Sequence, residues 1–166
     1  MEIYILDKDP QKLAEYLTDR DVVKMNYYIL YTLNNAHVTI KSKYSSDMQY
    51  RIYMWHKMWT NWIVKSIDNY TYLLNFIPYI MNEVEYRFDR IQNKVETYRK
   101  WFSKHYPDLP KIGIIKPPLT IPIGCMTNTT IDSYRNYYRM EKQHHYFWTR
   151  RERPRWIDEN KNKFCK

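Results

Sequence analysis

Apolar residues recur every three or four positions along most of the chain, which is the spacing of a helix face. The clearest example follows Thr18 and Asp19, either of which can cap a helix, and we expect Asn34 and Asn35 to end it. The apolar positions of this predicted helix are Val22, Val23, Met25, Ile29, Leu30 and Leu33. The pattern therefore predicts a helical protein.

Other stretches share this spacing and have recognisable ends. Asp9 followed by Pro10 indicates a short first helix, because aspartate caps helices and proline suits their first turn. Pro78 lies inside a pattern that runs from Asp68 to Phe88, so we expect a kink or break there. Further helices are predicted from Ser45–Asp47 to about Trp55, from Met58 to Ser66 (separate or continuous with the last), from Ile91 to His105, and from Thr130 or Asp132 to Trp148.

Three segments depart from the helical pattern. Residues 107–125 hold most of the prolines, and we interpret them as an ordered, irregular crossing of the body. The apolar side chains of this crossing that we expect to be buried are Ile112, Ile114, Ile115, Leu119 and Ile121. Residues 3–6 fit either a short strand or an extended lead-in, and residues 150–166 form a polar, basic tail. The predicted fold class is all-α or nearly so, in one domain over residues 1–166.

The composition is basic and rich in aromatic residues, with a formal net charge of +9, 18 tyrosines and 6 tryptophans. Positive charge attracts phosphate, and flat rings beside Arg and Lys suit base stacking. A surplus of charge that serves only solubility is the alternative explanation, and AT-rich genomes also encode many tyrosines. With 2 glycines, the chain has no glycine-rich phosphate loop, which argues against P-loop and Rossmann nucleotide enzymes.

The sequence has no pattern typical of a membrane, secreted or metal-binding protein. No apolar run reaches the ~20 residues of a membrane helix, and the start of the chain lacks a signal pattern. Cys125 and Cys165 lie far apart, in neither a disulfide framework nor a zinc pattern. His144 and His145 are adjacent and would point about 100° apart on a helix, which disfavours a shared ion. We therefore expect an intracellular protein with no metal and no cofactor.

A first candidate site lies at the start of the helix that follows Thr18. Asp21 and Lys24 are three positions apart and share a face, and Tyr28 lies four positions further along it. A lysine held near an acid and a phenol can act as a nucleophile or a phosphate clamp. With Asp19, these residues are our candidate catalytic group, and the alternative is a capped helix with a surface ion pair.

A second candidate site lies in the last helix and the tail. Residues 131–166 contain ten Lys and Arg against five Asp and Glu, which is more than half of the net charge of the chain. We interpret this region as a nucleic-acid-binding edge with stacking rings, and the alternative is a solvated helix face and tail. The candidate binding residues are Arg135, Arg139, Lys142, Arg150, Arg151, Arg153 and Trp156.

Several motifs occur in an order that resembles a family of small phage and large-virus proteins of no settled function. They are Asp9-Pro10, Asp19-x-Asp21-Val22-Val23-Lys24-Met25, Trp62-x-x-x-Ser66-x-x-Asn69-Tyr70-x-Tyr72-Leu73, Tyr134-Arg135-Asn136-Tyr137-Tyr138-x-x-Glu141-Lys142 and Trp148-x-Arg150-Arg151-x-x-Pro154-x-Trp156. The resemblance implies a viral protein that works in the cytoplasm or nucleus of an infected cell. The family motif Asp-x-His-Val-Val-Lys-Met is followed by an acid, whereas this chain has Asp21 in place of the histidine and Tyr28 in place of the acid.

The chain is also similar, more weakly, to viral pyrimidine-dimer DNA glycosylases. Those are small, basic, helical proteins with an Asp-x-His-Leu-x-x-Glu helix start and an aromatic, basic C-terminal region. Their nucleophile is the amine exposed when Met1 is removed, and a bulky second residue such as Glu2 blocks that removal. This resemblance implies that a Schiff base at Lys24 would be the nearest substitute.

We therefore expect a viral nucleic-acid-binding protein, with DNA favoured, that is similar to a DNA glycosylase/lyase or nuclease. A non-catalytic counter-defence protein that binds a nucleotide or a host defence protein is the alternative. A structural component of the virion is the third hypothesis. None of the three involves a membrane.

Overall fold

In the computed structural model, which describes residues 3–45 and 57–158, the chain forms α-helices joined by irregular segments. No strand occurs among these residues, and the predicted all-α class is confirmed. The helices are α1 (Pro10–Tyr16), α2 (Asp19–Thr39), α3 (Lys57–Ile63), α4 (Ile67–Leu74), α5 (Ile77–Phe88), α6 (Asn93–Lys104) and α7 (Thr130–Glu141). Short 3-10 turns occur at Ile123–Cys125, Gln143–His145 and Arg155–Ile157.

Side-chain caps begin four of the described helices, and two of these caps, Asp9 and Thr18, were predicted from the sequence. The Asp9 carboxylate accepts a hydrogen bond from the backbone N–H of Gln11 at 2.8 Å, and Pro10 occupies the first position of α1. Thr18 caps α2, Ser66 caps α4 and Thr129 caps α7 through the same kind of bond. Each cap satisfies a backbone N–H that has no partner inside its helix.

The long helix α2 lies at the centre of the fold and packs against α3, α4, α5 and α6. It continues to Thr39, so the prediction that Asn34 and Asn35 end it is wrong. Both asparagines are buried, and the neighbouring Leu33 and Ala36 belong to the core. Packing on several sides thus outweighs the weak helix propensity of asparagine, which is a preference of only a fraction of a kcal/mol.

The other predicted helices are found with adjusted ends. The pattern around Pro78 is broken into α4 and α5, and the proline lies in the first turn of α5, where its missing N–H costs nothing. The helix expected from Met58 is α3, which ends at Ile63, and the one expected from Ile91 is α6. Most of the helix predicted from Ser45–Asp47 to Trp55 lies outside the described residues.

The proline-rich crossing is ordered and irregular, and it runs along the start of α4. The backbone N–H of Gly113 donates to Asp68 at 2.9 Å, and that of Ile115 donates to Asn69 at 2.9 Å. Ile112 and Ile114 lie on either side of Gly113, whose positive φ of 86° turns the chain at this point. They are 65% and 61% exposed, and the prediction that they are buried is wrong, because backbone bonds rather than these side chains hold the crossing against α4. Ile121 is buried, and Ile115 and Leu119 are half-buried.

The N-terminal segment is an extended lead-in rather than a strand. Residues 3–6 are all buried, and the Tyr4 ring packs against the rings of Tyr134 and Tyr138 on α7. The carbonyl of Leu6 accepts a hydrogen bond from Nε of Arg135 at 2.9 Å. The first described residues therefore cover one side of α7.

Helix α7 ends at Glu141, so the prediction that it continues to Trp148 is wrong. After the 3-10 turn the chain turns back to α1 and α2, where the carbonyl of Phe147 accepts from the N–H of Asp19 at 2.9 Å. The indole N–H of Trp148 donates to the carbonyl of Tyr16 at 3.1 Å. These two hydrogen bonds stabilise a chain that turns back towards α1 and α2, and a continued helix could not form them. Residues 146–158, which we call the return segment, include part of the expected basic tail.

A buried ionic network joins α1, α2 and α5 to the return segment. The Arg87 side chain is fully buried and donates to Glu83 at 2.6 Å, to Asp19 at 3.0 Å and to the carbonyl of Leu17 at 2.8 Å. Arg151 donates to both carboxylate oxygens of Glu83. Burial alone would raise the pKa of Glu83. The hydrogen bonds from Arg151 and Arg87 have a larger, opposite effect, and the pKa is therefore lower than usual. The acid is therefore held in its charged form.

His37 on α2 is fully buried in an aromatic cluster and exchanges hydrogen bonds with Ser42 and Tyr70. Burial, with a smaller contribution from His105, lowers its pKa to about 4. A histidine with a lowered folded-state pKa binds its proton more readily when unfolded, so stability is lost as pH falls from ~6.5 towards 4. We expect a loss of up to ~3 kcal/mol in the free energy of unfolding over this range. Urea unfolding at several pH values measures it.

The matched variants for this pH dependence are His37→Gln and His144→Gln. The first removes the buried titrating group, so its stability is expected to change less between pH 6.5 and 4 than that of the parent chain. The second changes an exposed histidine and is expected to keep the parent's pH dependence. Equal pH dependence in all three chains would contradict the assignment to His37.

Within the described ranges, no helix has the combination of length and apolar character that crossing a membrane requires.

Candidate nucleic-acid interface

A groove of about 610 Å³ lies between α1, α7 and the return segment, and we call it the arginine groove. Its lining residues are Glu15, Tyr16, Arg135, Arg150, Arg151, Glu152, Arg153, Pro154, Arg155 and Trp156. Five of the seven residues predicted to bind nucleic acid are among them, of which Arg135 lies on α7 and the other four lie in the return segment. The groove combines five arginines with two glutamates and is therefore positively charged.

Two arginines of the groove are fixed by carboxylates on α5 and at its end. Arg150 forms a bidentate pair with Asp89 at 2.6 and 2.9 Å, and these hydrogen bonds lower the pKa of the Asp89 carboxyl. Arg151 forms a second bidentate pair with Glu83 at 2.8 and 2.9 Å. These arginines are thus oriented by the fold, and part of their charge is neutralised inside the molecule.

The remaining arginines of the groove differ in how strongly they are held. Arg135 donates to Asp7 at 2.9 Å, and Arg153 donates to Asp158 at 3.1 Å while it lies over the Tyr146 ring. Arg155 is exposed and forms no ion pair with any residue in the described ranges. Arg153 and Arg155 are therefore the cations of the groove that are best placed to meet an external anion.

Trp156 lines the groove but belongs mainly to the core, with 5% of its surface exposed. Its ring meets the Tyr16 ring edge-on at 5.8 Å, and the Arg135 guanidinium lies 5.2 Å from its centre. We expected this ring to stack on a base, but it is buried where a base has no access to its faces. Arg139, another predicted binding residue, donates to the Trp156 carbonyl at 3.0 Å and supports this turn.

A second, smaller site lies where the start of α2 meets the end of α7, and we call it the Asp21 pocket. It has a volume of about 220 Å³ and is lined by Tyr4, Arg20, Asp21, Lys24, Tyr28, Tyr137, Glu141, Lys142 and His145. Three of the four residues predicted to be catalytic, namely Asp21, Lys24 and Tyr28, come together here. They are joined by Lys142, which was predicted to contact nucleic acid.

Asp21 is 6% exposed and has three donors around its carboxylate. One oxygen accepts from the hydroxyls of Thr18 at 2.9 Å and Tyr138 at 2.8 Å, and the other accepts from the Lys142 ammonium at 3.1 Å. Burial, and then the Asp21 charge, raises the pKa of Tyr138, so this phenol stays protonated as a donor. The ion-pair partner of Asp21 is thus Lys142 rather than Lys24.

Lys24 and Tyr28 lie on the open side of the Asp21 pocket. Lys24 is exposed, whereas a lysine nucleophile is usually desolvated or placed beside another cation that favours the neutral amine. Burial and the nearby Asp21 charge raise the pKa of Tyr28, which keeps this phenol protonated. The geometry therefore suits binding better than nucleophilic attack.

Asp19 does not join the other predicted catalytic residues. Its carboxylate accepts from the hydroxyl of Thr149 at 2.6 Å, from the N–H of the same residue at 2.9 Å and from Arg87 at 3.0 Å. Asp19 thus fastens the return segment to the start of α2.

Several residues of the Asp21 pocket were not predicted from the sequence. Arg20 lies between two chosen aspartates, and its Nη1 group is 2.7 Å from Nε2 of His145. Tyr4 and Tyr137 stack 6.1 Å apart, and the Lys142 ammonium lies 4.7 Å from the centre of the Tyr4 ring. Arg20 is the sequence neighbour of Asp21 and could have been found from that position, but the approach of Tyr4 to α7 had no local signal in the sequence.

Among the residues that the structure describes, no group of three or more His, Cys, Asp or Glu side chains is arranged to hold a metal ion. No protein-family model, curated protein or solved structure matches the chain. The resemblances to two groups of viral proteins therefore stay predictions from the motifs.

Proposed function

We propose that this chain is a nucleic-acid-binding protein, with DNA as the favoured partner, and that the arginine groove holds backbone phosphates. The observation that carries the proposal is the convergence of five arginines from α7 and the return segment on one groove. Phosphate contacts from Lys and Arg supply most of the affinity of non-specific DNA binding.

The internal ion pairs of the groove are compatible with this role. A guanidinium has five N–H donors in a rigid fork, so a bidentate pair with one carboxylate leaves donors for a phosphate. Arg151 uses Nε and Nη2 for Glu83, and its Nη1 takes no part in that pair. Because the fold fixes the arginines in advance, less side-chain entropy is lost on binding.

The burial of Trp156 limits the kind of recognition that we propose. Without this ring as a stacking platform, the groove acts through charge and shape, and phosphate contacts carry no sequence information. We expect DNA binding with little sequence preference and a strong dependence on salt.

Neutralising the two best-placed cations tests the proposal. The double variant Arg153→Gln/Arg155→Gln is expected to weaken binding to duplex and single-stranded oligonucleotides about tenfold or more at low salt. It is also expected to reduce the slope of log affinity against log salt by about two, because each phosphate contact contributes close to one. Fluorescence anisotropy over a salt titration measures both quantities.

The matched control is Lys94→Gln/Lys104→Gln, which removes the same charge from exposed positions on α6, outside the groove. It is expected to leave the salt slope unchanged. Equal losses in the two double variants would assign the binding to overall charge, and no binding at low salt would refute the proposal.

The other hypotheses stay predictions from the sequence. Glycosylase/lyase chemistry would require Lys24 to form a Schiff base, and its exposed position gives no support to an activated amine. Borohydride trapping on damaged DNA checks that reaction, and magnesium-dependent nicking checks a nuclease. The counter-defence and virion hypotheses, the viral origin and the location in an infected cell have no observation in the structure that favours them.

A further inference from the structure

We propose that the Asp21 pocket binds a phosphate monoester, the group that nucleotides and the phosphorylated ends of nucleic-acid strands share. The proposal rests on three cationic side chains, Arg20, Lys24 and Lys142, that line one small concave site. This site is separate from the arginine groove, and the proposal stands whether or not the groove binds DNA.

The charges of the pocket favour a dianion. Asp21 is buried and already compensated by two hydroxyls and Lys142, so it holds the ammonium in place. Glu141 is the other acid of the lining, and it is exposed. A phosphate monoester carries close to two negative charges at neutral pH, whereas a diester carries one. The cations of the pocket therefore interact more strongly with a strand end or a nucleotide than with a DNA backbone.

Side chains rather than the helix terminus would form the site. The backbone N–H groups of Asp19, Asp21 and Val22 at the start of α2 already donate to carbonyl oxygens of Phe147 and Thr18. The guanidinium of Arg20 is oriented through Nη1 by the ring of His145 at 2.7 Å, and Lys24 follows one turn later. The guanidinium of Arg20 and the ammonium of Lys24 lie on neighbouring turns, so both can donate hydrogen bonds to the oxygens of one phosphate.

The size and the walls of the pocket restrict the ligand further. Its volume of about 220 Å³ is below the ~300–1,000 Å³ of pockets that enclose drug-sized ligands. The space therefore suits a phosphate and its sugar, with an attached base left outside. Tyr28 and Tyr137, which are half-buried, line the pocket, and the exposed parts of their rings offer apolar contact to a sugar.

The test uses calorimetry with deoxyadenosine 5′-monophosphate, deoxyadenosine and inorganic phosphate. We expect the monophosphate and inorganic phosphate to bind and the nucleoside not to bind. The double variant Arg20→Gln/Lys24→Gln is expected to weaken monophosphate binding at least tenfold. Both positions are exposed, and Lys142 is left in place because its loss would leave Asp21 buried without its cation.

Oligonucleotides with phosphorylated or hydroxyl ends distinguish the two sources of the group. Tighter binding of a phosphorylated end, lost in Arg20→Gln/Lys24→Gln, identifies a strand end as the ligand. Binding of the free monophosphate with no effect of end phosphorylation identifies a nucleotide. Either result supports the proposal. Equal binding of the monophosphate and the nucleoside, or unchanged binding by the variant, would overturn it.

The groove variant Arg153→Gln/Arg155→Gln separates this inference from the proposed function. It is expected to keep the affinity for the monophosphate while it loses affinity for oligonucleotides with hydroxyl ends. If those oligonucleotides never bind but the monophosphate does, the groove proposal fails and the pocket proposal stands. If Arg153→Gln/Arg155→Gln weakens monophosphate binding as much as Arg20→Gln/Lys24→Gln does, the Asp21 pocket is not the site.

Discussion

Replacing Arg87 with methionine is expected to lower the free energy of unfolding by about 3–5 kcal/mol, the usual cost of breaking a buried ion pair from one side. Methionine retains most of the volume, so the loss reports on the charge and its hydrogen bonds. The change removes the donors to the carbonyls of Leu17 and Glu15 and leaves the Asp19 carboxylate without this cation. Buried acceptors without a partner each cost ~1–3 kcal/mol. Urea unfolding at pH 7 measures the change.

Arg99→Met is the matched control, because Arg99 pairs with Glu96 one turn away on α6 while both side chains are partly exposed. Such pairs are worth ~1 kcal/mol or less. A loss for Arg87→Met no larger than that of Arg99→Met would show that the network does not hold α1 and the return segment together.

Replacing Trp156 with alanine is expected to cost about 3–5 kcal/mol of stability, as for other large-to-small changes in a core. The ring is 5% exposed and contacts Tyr16, Tyr138 and Arg135, so its removal leaves a cavity. A stacking residue on an open surface would behave otherwise, because its loss would reduce DNA affinity and leave stability nearly unchanged. Chemical unfolding and oligonucleotide binding, measured on the same preparation, separate the two roles.

Two variants complete the test of Trp156. Trp156→Phe keeps an apolar ring in the core and is expected to remain folded and to bind DNA as the parent chain does. Phe147→Ala removes a ring that is 70% exposed and is expected to change stability by less than ~0.5 kcal/mol. If Trp156→Phe stays as stable as the parent but loses DNA affinity, Trp156 contacts DNA directly.

The sequence allowed the helices and most of their starts to be predicted, because these depend on neighbouring residues. The caps at Asp9 and Thr18 are local side-chain bonds of this kind, whereas α4 is capped by Ser66 and not by a residue of its predicted start at Asp68. The ends of α2 and α7 were missed because distant contacts decide them. Asn34 continues a helix because its surroundings bury it, and after α7 ends at Glu141 the chain turns back so that the Phe147 carbonyl accepts from the N–H of Asp19.

The candidate site was predictable in its residue types and less so in its pairings. Composition indicated the arginines, and helical spacing brought Asp21, Lys24 and Tyr28 to one pocket. Spacing gave no sign that Lys142, 121 positions away, would be the partner of Asp21. Likewise, composition does not distinguish a buried tryptophan from an exposed one in a basic segment. The burial of Trp156 could therefore be seen only in the structure.

The return segment has a consequence for how the chain folds. The bond between Trp148 and Tyr16 joins residues 132 positions apart, and that between Arg135 and Leu6 spans 129. Helical proteins usually fold fast because their contacts are close in sequence, whereas distant contacts require loop closure before any energy is gained. During synthesis on the ribosome, α1 through α6 emerge before the residues that cover Tyr16 and Tyr4. The core surface around Tyr4 and Tyr16 is thus exposed until α7 and the return segment have been synthesised and cover it.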